Sequence, residues 1–124
     1  MDSVPPIKAY PVSKHEQNLR AMRCVVSGGF PVTLHHCKGA SMKAVHGGSP
    51  GISQKVNPFF QIPLIAKYHV GDLGIDTGMG EIKSKEQWEE RFGTQLDHLH
   101  DVNALVYYDI WIQAGMWMAK HRKS

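Results

Sequence analysis

Histidines 35 and 36 close a short run, Pro31-Val32-Thr33-Leu34, whose composition reads as a strand. Adjacent side chains on a strand point to opposite sides of the backbone. One imidazole can therefore bind a metal ion while its neighbour faces a substrate as a base. His69 follows Ile62-Pro63-Leu64, opens what reads as a short helix, and could complete a metal site. The same residues also fit two exposed imidazoles at a loop mouth and a third that caps a helix, since His-His pairs are common.

Two other groups of residues could do chemistry. Asp97-His98-Leu99-His100-Asp101 places two carboxylates on one helical face, where they could hold a divalent ion. A solvated face that favours the helix N-terminus explains them as well. Lys38, Lys43, His46 and Lys55 lie in a Gly- and Ser-rich stretch, residues 37 to 58, centred on Gly47-Gly48-Ser49-Pro50-Gly51. Long unstructured loops in small domains are often functional. A phosphate backbone would suit those lysines, and a merely mobile loop would carry them too.

The elements that must position these groups can be read in order. Residues 1 to 12 hold three prolines before the first helix and read as an extended arm. Ser13 and Glu16 make a capping box for a helix to about Met22. Arg23 to Val26 and Pro31 to His36 read as two strands of a hairpin turned by Ser27-Gly28-Gly29-Phe30. Phe59 to Ala66 reads as a buried strand leading into a short helix around Lys67 to Val70. Ser84 caps a helix that Gly93 stops. Thr94 opens a final long helix to about Lys120, apolar on more than one face. A helix apolar on several sides must be covered on several sides, so a homodimer is expected.

Length and composition bound the rest. The 124 residues suffice for a single domain, residues 13–124 behind the arm, and carry a net charge of +3. That charge permits a polyanionic partner without demanding one. No run approaches the ~20 apolar residues of a membrane span, and no secretory pattern opens the chain, so no membrane partner is expected and a cytoplasmic location is. Cys24 and Cys37 lack a Cys-x-x-Cys spacing and read as reduced thiols.

Read as a unit, Cys24-Val25-Val26-Ser27-Gly28-Gly29-Phe30-Pro31-Val32-Thr33-Leu34-His35-His36 resembles the opening of HNH (ββα-metal) nucleases of the phage recombination type, the Ref-like and YbcO-like prophage nucleases. Leu64-Ile65-Ala66-Lys67-Tyr68-His69 is similar to that family's Leu-Cys-x-x-Cys-His segment. Gly74-Ile75-Asp76 stands where the family tends to carry Gly-Ile-His, and Trp88 to Gln95 looks like the helix end that follows the core. The resemblance covers residues 13 to 97. Ser27, Ile65 and Tyr68 occupy positions where the family has cysteines, so a structural four-cysteine zinc cannot form. Hydrophobic packing by Val25, Val26, Ile65 and Tyr68 is expected to take its place.

The resemblance implies an α+β fold: a small ββα-metal core with a β-hairpin, a long loop and flanking helices, including a long C-terminal one. It also implies a metal-dependent DNA endonuclease, phage or prophage encoded, with a recombinase as a further partner. His36 would be the general base, His35 and His69 metal ligands, and Asp76 a third ligand in place of the family's His. Asn57 would orient the base, and Lys38, Lys43 and Lys55 would contact DNA. A carboxylate ligand favours Mg²⁺ or Mn²⁺, with Zn²⁺ as the softer option. The reading from a different class is a non-catalytic nucleic-acid-binding recombination-accessory protein that keeps the fold with a degenerate site.

Overall fold

Strand β1 (Thr33–His36) pairs antiparallel with β2 (Gln61–Leu64), with Thr33 opposite Leu64, Leu34 opposite Pro63, His35 opposite Ile62 and His36 opposite Gln61. The computed structural model describes residues 7–46 and 56–121. All four residues of β2 are buried, whereas β1 is buried at His35 and exposed at Thr33 and His36. A two-stranded ribbon is marginal alone and needs a packed face. Helix α1 (Val12–Arg20) supplies one such cover and α5 (Gln95–Leu105) another. Between them Leu19, Phe59, Phe60, Ile62, Leu64, Trp88, Leu99, Val102 and Ile110 form the continuous core. The architecture among the described residues is α+β, as the sequence suggests, with a two-stranded antiparallel sheet and flanking helices.

The expected hairpin does not form. Arg23–Val26 is a turn rather than a strand, and β1 takes β2 as its partner instead. The glycine-rich segment folds tightly on itself, Cys24 N–H donating to Gly29 O (2.9 Å) and Gly28 N–H to Cys24 O (2.8 Å). A fully buried apolar partner outcompetes a local one that could bury little. Val25 N–H still reaches Pro63 O (3.1 Å), so the turn docks on the outer edge of β2, where a proline costs no ladder bond.

The first helix begins at Val12 after Pro11, without a side-chain cap, so the Ser13–Glu16 capping box is absent. Glu16 instead accepts from Gln61 Nε2 (2.9 Å). Tertiary contact has overridden the local motif. After β1, a 3₁₀ turn (Ala40–Met42) runs into the short α2 (Lys43–His46), giving the first part of the expected loop a structure of its own. Its centre, with Lys55, lies outside the described residues. Helix α3 (Ala66–His69) follows β2 directly.

Helix α4 (Lys85–Phe92) has the cap read from sequence, Ser84 Oγ accepting from Gln87 N–H, and ends at Gly93 with φ +98°. Thr94 opens α5 as expected, its hydroxyl accepting from Asp97 N–H. The single long helix, however, is two: α5 stops at Leu105, and α6 (Ile110–His121) begins after an extended Val106. Asp109 Oδ1 accepts from Trp111 and Ile112 N–H, and Asn103 Oδ1 from Ile110 N–H, so side chains satisfy the orphan donors of a new helix start. The apolar residues that seemed to ring one helix divide between two, each burying one side. Leu105, Tyr107 and Ile112 stay exposed on and between these two helices, so the split redistributes the apolar surface behind the expected homodimer without covering it.

Candidate metal centre

His35 points inward from β1 and is fully buried, while His69 sits at the end of α3. Asp76 reaches them because the chain after α3 doubles back. Ile75 N–H donates to Tyr68 O and Asp76 N–H to His69 O (3.1 and 3.0 Å). That return demands a glycine at 74, where a Cβ would lie 2.6 Å from His69 O. Asp76 Oδ2 thus lies 3.0 Å from His35 Nδ1 and 3.1 Å from His69 Nε2. Among the described residues, these three offer ligand atoms all within 4.8 Å of one another.

Those separations suit coordination. An octahedral ion bound at about 2.1 Å separates neighbouring ligand atoms by roughly 3.0 Å, and a tetrahedral one by roughly 3.4 Å. The two separations to Asp76 match that octahedral spacing, and the two ring nitrogens lie within 4.8 Å of one another.

The hydrogen bonds behind the imidazoles decide which ring atoms face the centre. Gln95 Oε1 accepts from Lys38 N–H (3.1 Å) and Gln95 Nε2 donates to Lys38 O (2.8 Å), which fixes the amide's orientation. The same Oε1 lies 2.9 Å from His35 Nε2, so that nitrogen must carry a proton. Thr33 spends its single hydroxyl proton on Leu64 O (3.0 Å) and therefore accepts from His69 Nδ1–H at 2.7 Å. Each neutral ring then presents its lone pair to Asp76 Oδ2. Three electron-rich atoms at such range require positive charge among them, from a metal ion or from extra protons on the rings. Partners of this kind on the far ring nitrogen are typical of metal-binding histidines.

Where the rings themselves carry that charge as extra protons, burial still pushes the Asp76 carboxyl up, but hydrogen bonds from His35 and His69 and the charges of His35 and Lys85 outweigh it and hold the acid well below the usual carboxylate range. Lys85 Nζ lies 3.6 Å from the other oxygen, Oδ1. The cluster is not sealed: the side chain of His35 has no exposure, that of His69 16% and that of Asp76 28%. Solvent reaches it from the Asp76 side. Structural zinc sites are closed, whereas catalytic ones keep an open position.

The other residues singled out from sequence lie elsewhere. His36 alternates to the opposite face of β1, where it lines an open cleft of about 430 Å³ with Lys38, Val56, Pro58 and Trp117. Partial burial lowers its pKa below the ordinary histidine value and Lys38 adds to this, against the pull of Glu16. Asn57 is buried and bound to backbone, donating to Ala114 O (2.9 Å) and accepting from Phe59 N–H (3.0 Å). It holds α6 to the start of the β2 segment and reaches none of the three ligands by a hydrogen bond. Lys38 and Lys43 are exposed. Asp97 and Asp101 are exposed near the start of α5 and join no ligand cluster among the described residues. Sequence reasoning missed Gln95, Thr33 and Lys85, which no local spacing connects to the histidines. Compared with protein-family models, curated proteins and solved structures, the chain finds no match in any of the three.

Proposed function

We propose that the protein is a metal-dependent hydrolase of nucleic-acid phosphodiesters, built on an HNH-like core. The observation that carries the reading is the pair of imidazoles whose proton positions are set by Gln95 and Thr33 so that both lone pairs meet Asp76, in a cluster open to solvent on one side. Two nitrogens among three ligands favour Mn²⁺ or Zn²⁺ over Mg²⁺. Such an ion polarises a phosphoryl oxygen and stabilises the leaving oxygen. Lys85 adds a positive charge beside the open side, where a phosphate would approach. His36, which the resemblance makes the base for the attacking water, stands beside the ligand His35 but on the other face of β1, so the scissile phosphate would have to meet it at the end of that strand. The excess of basic side chains favours a polyanionic substrate.

Calorimetric titration with Mn²⁺ and Zn²⁺, paired with nicking of supercoiled plasmid, tests the reading. His35→Ala, His69→Ala and Asp76→Asn should each lose metal binding and nicking together. His36→Ala should keep the metal and lose about 10²–10⁴-fold in rate. Unchanged metal affinity in the first three variants would sink the site.

A second reading has its own observation. His36 and the three ligands lie on opposite faces of β1, which is what a non-catalytic nucleic-acid-binding protein with a stabilising ion would tolerate. Tight metal binding without nicking under any divalent ion would favour it.

A further inference from the structure

The cleft on the His36 face of β1 has a chemistry of its own. Its lining combines an indole, a proline ring and a valine with one ammonium and one imidazole, and, among the described residues, no carboxylate. A free cation finds no counter-charge in that lining, and an aliphatic ligand would leave Lys38 and His36 unused. A ligand that is flat, apolar on its faces and anionic at one end uses every wall. Trp117 is an ordered wall, because its ring stacks on His121 (centroids 4.2 Å apart, 21° between planes) while His121 Nδ1 donates to Trp117 O. The volume of about 430 Å³ falls within the usual range for small-ligand clefts.

We propose that this cleft is a subsite for one unpaired nucleotide of a single-stranded nucleic acid, its base against Trp117 and its phosphate on Lys38. Nucleic acid as the ligand rests on the hydrolase reading above; the stacking subsite and the single-strand preference are new. Both follow from placement. The cleft and the metal cluster lie back to back across one strand, His36 facing one and His35 the other. A polymer that occupies both must turn sharply round the end of β1. Duplex DNA is stiff over about 150 base pairs and keeps its base faces stacked inside, whereas an unpaired strand bends and exposes them.

Fluorescence anisotropy of a fluorescein-labelled oligothymidylate, in EDTA so that no metal bridges or cleaves it, measures the subsite alone. Trp117→Leu, which keeps apolar volume but removes the ring, should weaken binding roughly fivefold to a hundredfold. Trp117→Phe should retain most of the affinity. Lys38→Met, at an exposed position that folding does not depend on, should weaken binding and reduce the salt slope by about one. A hairpin duplex of equal charge should bind more weakly than the single strand. Wild-type affinity in Trp117→Leu or Lys38→Met, equal affinity for duplex and single strand, or no binding of the oligomer at all would each overturn the proposal. Single-strand binding that depends on Trp117, in a protein that never nicks DNA, would keep the subsite and remove the hydrolase.

Discussion

At the scale of single residues, the ligands were visible in the sequence and their supports were not. His35, His69 and Asp76 are residue types that bind metals, each beside a recognisable element boundary. Thr33 and Gln95 are ordinary residues whose importance lies only in what they touch, across 36 and 60 positions of chain. Asn57 shows the converse: its type suggests chemistry, yet both ends of its amide are occupied by backbone. The proton assignment gives a sharp test. Thr33→Val removes the acceptor for His69 Nδ1–H while keeping side-chain shape at an exposed strand position. Loss of such an outer partner typically costs 10–100-fold in metal affinity. Calorimetry with Mn²⁺ and Zn²⁺ should show a drop of that order, and Thr33→Ser should restore most of it. An unchanged affinity in Thr33→Val would mean that His69 reaches the ion by its other nitrogen or not at all.

At the scale of elements, local signals held where capping is local and failed where a distant partner decides. Ser84, Gly93 and Thr94 act as read, because a cap needs only its own next turn. The β1 partner could not be read from the neighbouring segment, since pairing is awarded to the strand that buries most. The division of the last helix was legible in retrospect. Asp109 stands immediately before Ile110-Trp111-Ile112, a helix-start signal that a continuous apolar pattern concealed. The loop between α3 and α4 has a comparable hinge in Gly74, whose missing Cβ lets the chain return across the end of α3. Gly74→Ala would bring a methyl to 2.6 Å from His69 O, against backbone that cannot swing aside. The segment carrying Asp76 must then lift from α3. Overpacking of this kind costs about 1–3 kcal/mol, and here it also displaces a ligand. Urea melts should show the loss of stability, and metal titration a loss of affinity larger than that of Thr33→Val.

At the scale of the whole molecule, one buried imidazole ties the fold to pH. His15 projects from α1 into the core between Phe59 and Tyr108, with Nδ1 hydrogen-bonded to the Tyr108 hydroxyl and Nε2 without a partner. Tyr108 in turn stacks on Tyr10 (3.9 Å between centroids), whose N–H donates to Gln113 Oε1, so the chain ahead of α1, the α5–α6 corner and α6 meet at this histidine. No helix among the described residues is long and apolar enough to cross a membrane. Burial penalises the charged ring and lowers its pKa to about 4, more than the Phe59 backbone and the charge of Glu16 can recover. In the unfolded chain the same group titrates near 6.5. Above that pH both states are neutral and His15 leaves stability unaffected by pH. As pH falls, the unfolded chain takes up a proton that the native state refuses, so stability declines until pH reaches about 4 and then levels. The full difference amounts to about 3 kcal/mol, a large share of the 5–15 kcal/mol typical of a domain. Urea unfolding at intervals from pH 7.5 to 4, in EDTA so that the metal cluster contributes no ion linkage, should trace that decline. His15→Gln retains a hydrogen-bonding side chain but cannot titrate, and its stability should vary with pH by about 3 kcal/mol less than the wild type. An identical pH slope in the two proteins would show that His15 is protonated in the native state and that the junction is open to water.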